Sequence, residues 1–373
     1  MRLRSAAAMA ATSVVGAGTA ALAAGRYGSG LVLRPAVAGP APWPAVKVRA
    51  VSADEVVLAR SDASLLPGVY GLTGHGVHAV VGPVTSRDDD GTSVARRLLR
   101  VDRGVLRPGD RVRVTPRVYT GDPRSALGLD FTDVRIAGDL GPLPAWLVPA
   151  DRGTWVVAAH GVGEDRTQAL PIVPVLHRFR LPQLVIAYRN DPGAPASPDG
   201  IGHLGETEWH DLDAAMRHAV REGARRLVLY GWGTGATMAL LALTHSPVSD
   251  RVGGLVLDSP VLDWRATVRA AVSSRGLPAA LIPLALRAAE GRTGLHTARH
   301  AQALSAGGLT VPTLIAHGPG DTFASWPASR ALAERRPDTV ALHTVPDAPH
   351  GAMWNADPQA YEETLRRFLT PLM

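Results

Sequence analysis

The sequence predicts an α/β protein: a mostly parallel, doubly wound sheet with a helical lid, preceded by a smaller β-rich region. Three observations predict it. From about Asp133 onward, apolar strand-like runs alternate with helical stretches, the pattern of a parallel sheet with crossover helices. The segment from Leu227 to Ala236 leads an apolar run through a glycine-rich turn into the helical stretch Thr237 to Leu243. Between Val46 and Pro123, short alternating runs are separated by turn signals.

Residues 1–25 read as a signal peptide or membrane anchor. Arg2 and Arg4 precede an uncharged stretch from Ser5 to Ala24, and Ala21-Leu22-Ala23 is a small-residue cleavage pattern. The length also suits one membrane span, although an alanine-rich composition drives insertion only weakly. On this reading the membrane is met through the N-terminal segment. The body is then delivered to the cell envelope, on the extracytoplasmic side, anchored or secreted. A disordered alanine-rich leader is the alternative. Residues 26–45 read as a Pro/Gly-rich linker, with Pro35, Pro40, Pro42 and Pro44 marking an extended tether.

Residues 46–132 form the β-rich accessory region. Val46 to Val51 and Arg111 to Thr115 alternate as half-buried strands do, and Pro67-Gly68, Gly82-Pro83, Asp88 to Gly91 and Pro108-Gly109-Asp110 supply turns. No residue constellation there suggests chemistry.

Residues 133–373 carry the main domain. Strands are expected at Thr154 to Ala159, Leu184 to Tyr188, Leu227 to Tyr230, at a run ending Val256-Leu257-Asp258, at Pro312 to Ala316 and at Thr339 to Val345. Helices are expected from Thr207 to Glu222 and from Pro358 to Leu369. The alanine-rich stretch 262–306 reads as a helical lid inserted over the carboxyl ends of the strands.

Composition closes several avenues. The chain has 373 residues, 46% hydrophobic and 19% charged, the balance of a globular protein. It has no cysteine, so thiolate catalysis and disulfides are excluded. The histidines are scattered without paired carboxylates, which argues against a metal site, and no cofactor motif is present. The net charge of +6 comes from dispersed arginines with no nucleic-acid motif beside them, so nucleic acid is not an expected partner.

The turn at Gly231-Trp232-Gly233-Thr234-Gly235 has the strand–turn–helix context in which Gly-x-Ser-x-Gly exposes a serine hydroxyl for acyl transfer. Here the central residue is Gly233, which has no oxygen to attack with. An acyl-transfer site further needs a histidine base, a carboxylate to orient it, and an oxyanion hole. Asp321, beyond the Pro312 to Ala316 strand, and His350, between the last strand and the closing helix, stand in the required chain order. Singly, an aspartate in a Gly-rich turn is more often a turn residue and a loose histidine polar surface; the elbow and the order together favour the functional reading. The backbone amides of Thr234 and Val162 are the oxyanion candidates, and His160, Gly161, Trp232 and Ser259 are the expected pocket residues. His160-Gly161 also reads as a plain strand-to-loop turn.

These motifs resemble a group of bacterial α/β-hydrolases with an N-terminal membrane or signal segment and a β-rich region before the catalytic domain. The resemblance rests on Ala145 to Pro149, His160-Gly161, Tyr188 to Asp191, Leu204 to Trp209, Gly231-Trp232-Gly233, Leu257 to Trp264, Asp321, His350 and Trp354-Asn355. It covers roughly the last three-fifths of the chain. It implies the α/β-hydrolase fold and serine hydrolysis of esters or peptides, with a small-molecule ester or peptide as ligand. The sequence departs from the pattern at Gly233, and again at Thr322-Phe323-Ala324, where Val-Pro commonly follows the aspartate two residues on.

Glycine suits the strained backbone of such an elbow, where other residues cost about 1–3 kcal/mol. Losing the nucleophile costs about 10⁶ in turnover in subtilisin, a different fold with the same logic. Three functions follow as expectations: a degenerate hydrolase that binds a ligand or protein partner in a retained pocket; a hydrolase using Thr234, Ser259 or water activated by His350; and an envelope-anchored interaction protein working through its β-rich region.

Overall fold

A computed structural model describes residues 19, 21–34, 39–40, 43–88, 91–294, 303 and 308–373. The main sheet has eight strands: β7 (Thr132–Gly138), β8 (Gly141–Val148), β9 (Thr154–Ala159), β10 (Gln183–Ile186), β11 (Arg226–Trp232), β12 (Val252–Asp258), β13 (Thr313–His317) and β14 (Val340–Thr344). Their order is β14-β13-β12-β11-β9-β10-β8-β7. The six strands from β10 through β9 to β14 run parallel, and β7 and β8 close the other edge as an antiparallel hairpin. This is the doubly wound sheet expected from the sequence. Its central strands are buried on both faces, which is why they read as continuous apolar runs rather than alternating ones.

The order explains where a site forms. From β9 the chain first moves to β10, then returns past β9 to β11 and continues to β14. The strand order therefore reverses between β9 and β11, and the crevice at their carboxyl ends is where open α/β sheets bind ligands. Gly161 follows β9 and Gly233 follows β11.

Before the sheet come β1 (Val46–Val51), β2 (Glu55–Ala59), β3 (Tyr70–Gly74), β4 (Val77–Arg87), β5 (Ser93–Arg103) and β6 (Arg111–Thr115), closed into a barrel in the order β1-β2-β5-β4-β3-β6. Alternation puts Val46, Val48, Val112 and Val114 into the barrel core. Arg96 of β5 is buried without a carboxylate; it donates instead to the carbonyls of Gly82, Ser64, Leu66 and Gly68 at 2.7–3.1 Å. It thereby fixes the turn that seats the barrel on the main domain. At Gly68, with φ +85°, an added Cβ would lie 2.0 Å from the Asn355 carbonyl, so only glycine fits. Asn355 completes the joint by accepting from the Val69 amide and donating to the carbonyls of Val69 and Pro116, each at 2.8 Å.

The helices are α1 (residues 21–33), α2 (Asp62–Leu65), α3 (Pro123–Leu127), α4 (Val173–Arg178), α5 (Trp209–Arg221), α6 (Thr234–His245), α7 (Trp264–Ser273), α8 (Ile282–Thr293), α9 (Trp326–Arg335), α10 (Met353–Ala356) and α11 (Pro358–Leu369). Between β12 and β13, α7 and α8 supply the helices expected of a lid; residues 295–302 and 304–307 of that stretch lie outside the described residues.

The tether expected over 26–45 is corrected in its first part. Residues 21–33 are helical, and Leu31, Val32 and Leu33 are buried with Trp264, Val268, Val272, Ala285 and Ala289 of the lid. Gly25 and Gly28 permit the approach: a Cβ would lie 2.8 Å from the Leu284 carbonyl at the first and 2.8 Å from the Ala285 Cβ at the second. Burying three aliphatic side chains stabilises a helix that Gly25, Gly28 and Gly30 would otherwise weaken. Pro35 and Pro42 lie outside the described residues, as does nearly all of the leader. Among the described residues no helix is long and apolar enough to cross a membrane.

Candidate active site

Three glycines make the elbow. A Cβ on Gly231 would lie 2.4 Å from the Ala236 amide nitrogen, and one on Gly235 would lie 2.1 Å from the Ala159 carbonyl. Backbone cannot yield to such contacts, so both glycines serve the close packing of α6 against β11 and β9. Gly233 differs. It has φ +50° and ψ −110°, outside the space that side-chain-bearing residues favour. Its amide donates to the Asp258 carbonyl at 2.9 Å, and its carbonyl accepts from Val261 at 3.0 Å. The sharp turn that exposes a nucleophile is therefore present without one.

His350 and Asp321 meet opposite this turn. His350 Nδ1 is 2.7 Å from Asp321 Oδ2, and Nε2 lies 3.0 Å from where a Cβ on Gly233 would be. The Asp321 carboxylate is buried and fully engaged. Its Oδ1 accepts from the amides of Phe323 and Ala324 at 2.8 Å, and its Oδ2 also meets His317 Nε2 at 3.1 Å. Burial opposes its charge, but the imidazoles of His350 and His317 outweigh burial and hold it far below the usual carboxylate range. Burial likewise opposes charge on His350, and the Asp321 carboxylate outweighs it, raising the imidazole above its ordinary value. Phe323 covers the ring at a centroid distance of 4.8 Å.

Val162 and Thr234 follow Gly161 and Gly233 at the switch point. Neither backbone amide has a hydrogen-bond acceptor among the described residues. Gln168 holds the loop by accepting from the Gly161 amide at 2.8 Å. Thr234 is buried and lines a cavity of about 180 Å³ that His350 does not line.

Ser259 is no better placed. It is wholly buried at φ +49°, its hydroxyl donates to Asp258 Oδ1 at 2.8 Å, and it accepts from the Gly351 amide at 3.0 Å. Tyr361 donates to Asp258 Oδ2 at 2.9 Å and is itself bonded to Tyr230. Burial, against the hydrogen bonds of Ser259 and Tyr361, pushes the Asp258 carboxyl up to about 7.

Two cavities flank the turn. One, of about 350 Å³, is lined by His350, Phe323 and Pro349, by Pro40 and Trp43, and by the barrel residues Arg113 to Thr115 with Pro116 and Arg117 beyond them. The other, of about 180 Å³, is lined by Thr234, Val162, Tyr188, Leu33 and their neighbours. Arg117, Gly163 and Glu164 line both, and Arg117 bonds to Glu164 at 2.8 Å across the partition.

The expected pocket residues need correction. His160, Gly161, Trp232 and Ser259 line neither cavity. His160 is buried behind the loop that follows β9, bonded to Asp191 at 2.8 Å and stacked on Tyr188. Trp232 packs on Tyr230 and lines a separate, small cavity of about 20 Å³ with Gln168, Asp258 and Gly351, which His350 does not line. The barrel, to which the sequence assigned no chemistry, supplies a cleft wall. His317, Gln168 and Asp191 also went unassigned; only the position of His317 four residues before Asp321 offered a signal. Among the described residues no group of His, Asp and Glu is placed to hold a metal ion.

Residues 197–371 match the model of the prolyl oligopeptidase family, a span that contains Gly233, Asp321 and His350. Residues 47–115, the barrel, match a model described as a domain of unknown function (DUF8805). No curated protein sequence matches the chain. Among solved structures, the esterase Pf2001 of Pyrococcus furiosus in one crystal form shares 20% identity over 68% of this chain and 94% of its own, with a TM-score of 0.56. In a second crystal form it covers 69% of this chain and 98% of its own at 20% identity and a TM-score of 0.54. Together with the sheet order and the elbow, this likeness shows the α/β-hydrolase fold.

Proposed function

We propose that this protein is a degenerate member of the serine-hydrolase type that binds an ester- or peptide-like ligand, or a partner presenting one, without turning it over. The observation that carries the reading is Gly233 at the elbow, with His350 Nε2 aimed at a position that holds no oxygen. Everything around that position favours acyl transfer: the Asp321–His350 pair, two unengaged amides, and cavities on either side. Neither neighbouring hydroxyl is positioned to substitute, since Thr234 lines the cavity that His350 does not and Ser259 is enclosed. What remains is a pocket at the joint of barrel, lid and sheet, a common place for ligands.

A fluorophosphonate probe tests the proposal. The native protein should stay unlabelled and Gly233→Ser should label; labelling of the native protein at the rate of working esterases refutes it. The intact Asp321–His350 pair favours a second reading, hydrolysis by water that His350 activates directly. Ester turnover by highly purified protein, abolished by His350→Ala, would establish it; turnover indifferent to that change would remove it. For its setting we keep the envelope expected from the leader, which fractionation of the tagged protein tests.

A further inference from the structure

We propose that the cleft beside His350 binds a ligand with an apolar body and a terminal carboxylate, and that Arg113 of the barrel is the cation that recognises it. This rests on the binding reading above and adds the chemical class of the ligand. Alternation along β6 sends Val112 into the barrel core and turns Arg113 outward, where it is exposed and lines the cleft shared with His350. Arg113 has no ion pair or hydrogen bond of its side chain among the described residues. The contrast with its neighbour is instructive. Arg117, in the same wall, is held by Glu164 at 2.8 Å and by Asp165 at 3.5 Å.

The remaining walls are mostly apolar. Trp43 from the N-terminal segment, Phe323, Pro116 and Pro349 enclose the space. Its acidic wall residue, Glu164, is already engaged by Arg117. An unpaired guanidinium at the wall of an apolar cleft attracts an anion, and its planar fork matches a carboxylate with two parallel hydrogen bonds. At about 350 Å³ the cleft takes one or two residues of a peptide, or a short acyl chain. A peptide C-terminus and a fatty acid present the same chemistry.

Isothermal titration calorimetry on the whole protein separates the sources. The probes are N-acetyl-leucyl-phenylalanine with a free carboxylate, the same dipeptide as its C-terminal amide, and octanoate. We expect the free acid to bind at least tenfold more tightly than the amide, a factor within reach of one charge-assisted pair. In Arg113→Gln that preference should vanish; in Arg113→Lys, which keeps charge without the fork, it should fall to an intermediate value. Arg103→Gln, an exposed barrel change of equal charge, should leave it intact. Octanoate binding that depends on Arg113, without peptide binding, would support the carboxylate assignment with an aliphatic source. Equal binding of acid and amide, a preference that survives Arg113→Gln, or no binding of any probe would overturn it. Probe labelling at Gly233 bears only on lost turnover, so the two proposals fail separately.

Discussion

Replacing Gly233 with serine places an oxygen where the fold presents none, and the structure sets what this should cost and restore. At φ +50° and ψ −110° a side chain is strained by about 1–3 kcal/mol, which for a domain of this size lowers the melting temperature by about 2–10 °C. The new Cβ would stand 3.0 Å from His350 Nε2, a few tenths of an ångström too close, so the imidazole must retreat slightly. A working nucleophile is worth about 10⁶ in rate, and misplacement on the scale of an ångström costs about 10². Fluorophosphonate labelling should therefore rise by roughly 10⁴ over the native protein, after the misfit is deducted from the nucleophile's worth. Gly233→Ala is the comparator: it carries the same strain and Cβ, should melt at a similarly lowered temperature, and should not label. A folded serine variant that labels no faster than the alanine variant would refute the claim that the surrounding machinery is intact. Equal stability of all three proteins would refute the claim of strain.

Three further outcomes follow from the site's electrostatics and its joint. Asp321 is held low, so its stabilising effect is present above the unfolded value near 4 and fades only as pH falls through the folded value; His350 is raised, so its effect is present below about 6.5 and lost as pH rises through its folded value. Asp321→Asn should lower the His350 titration midpoint in NMR, and an unmoved midpoint would count against the pairing. Asp258 is raised to about 7, so burying it costs stability as pH climbs from about 4 to 7. Asp258→Asn should flatten that slope, at about 1.4 kcal/mol per pKa unit removed, in denaturant titrations at pH 5 and pH 8; an unchanged slope would argue that Asp258 is not the group responsible. Asn355→Ala strips hydrogen bonds from the Val69 and Pro116 carbonyls and should cost about 2–4 kcal/mol by calorimetry, whereas a loss below 0.5 kcal/mol, within the range of about ±0.5 for ordinary surface changes, would show the joint does not depend on it.

The sheet was legible because its central strands are buried on both faces and helices such as α5 on one, two periodicities that leave different marks on a sequence. The positions of Gly233, Asp321 and His350 were legible through chain order. The cleft walls were not. Arg113 lies on an alternating strand like many others, and only the seating of the barrel through Gly68 and Asn355 turns its outward face toward His350. His160 misled for the opposite reason: its place beside Gly161 fits a pocket residue, but Asp191, 31 positions away, draws it behind the loop. α1 was hidden by its glycines and by the prolines after it, since its helical state depends on the lid surface it covers.

The docking of α1 sets what an N-terminal truncation would disturb. Removing residues 1–23 would leave Gly25, Gly28 and Leu31 to Leu33 in place against the lid. A protein shortened to residue 34 would instead bare the lid's inner apolar surface and remove Leu33 from the wall beside Thr234. The turns of α1 are thus part of the roof over the crevice.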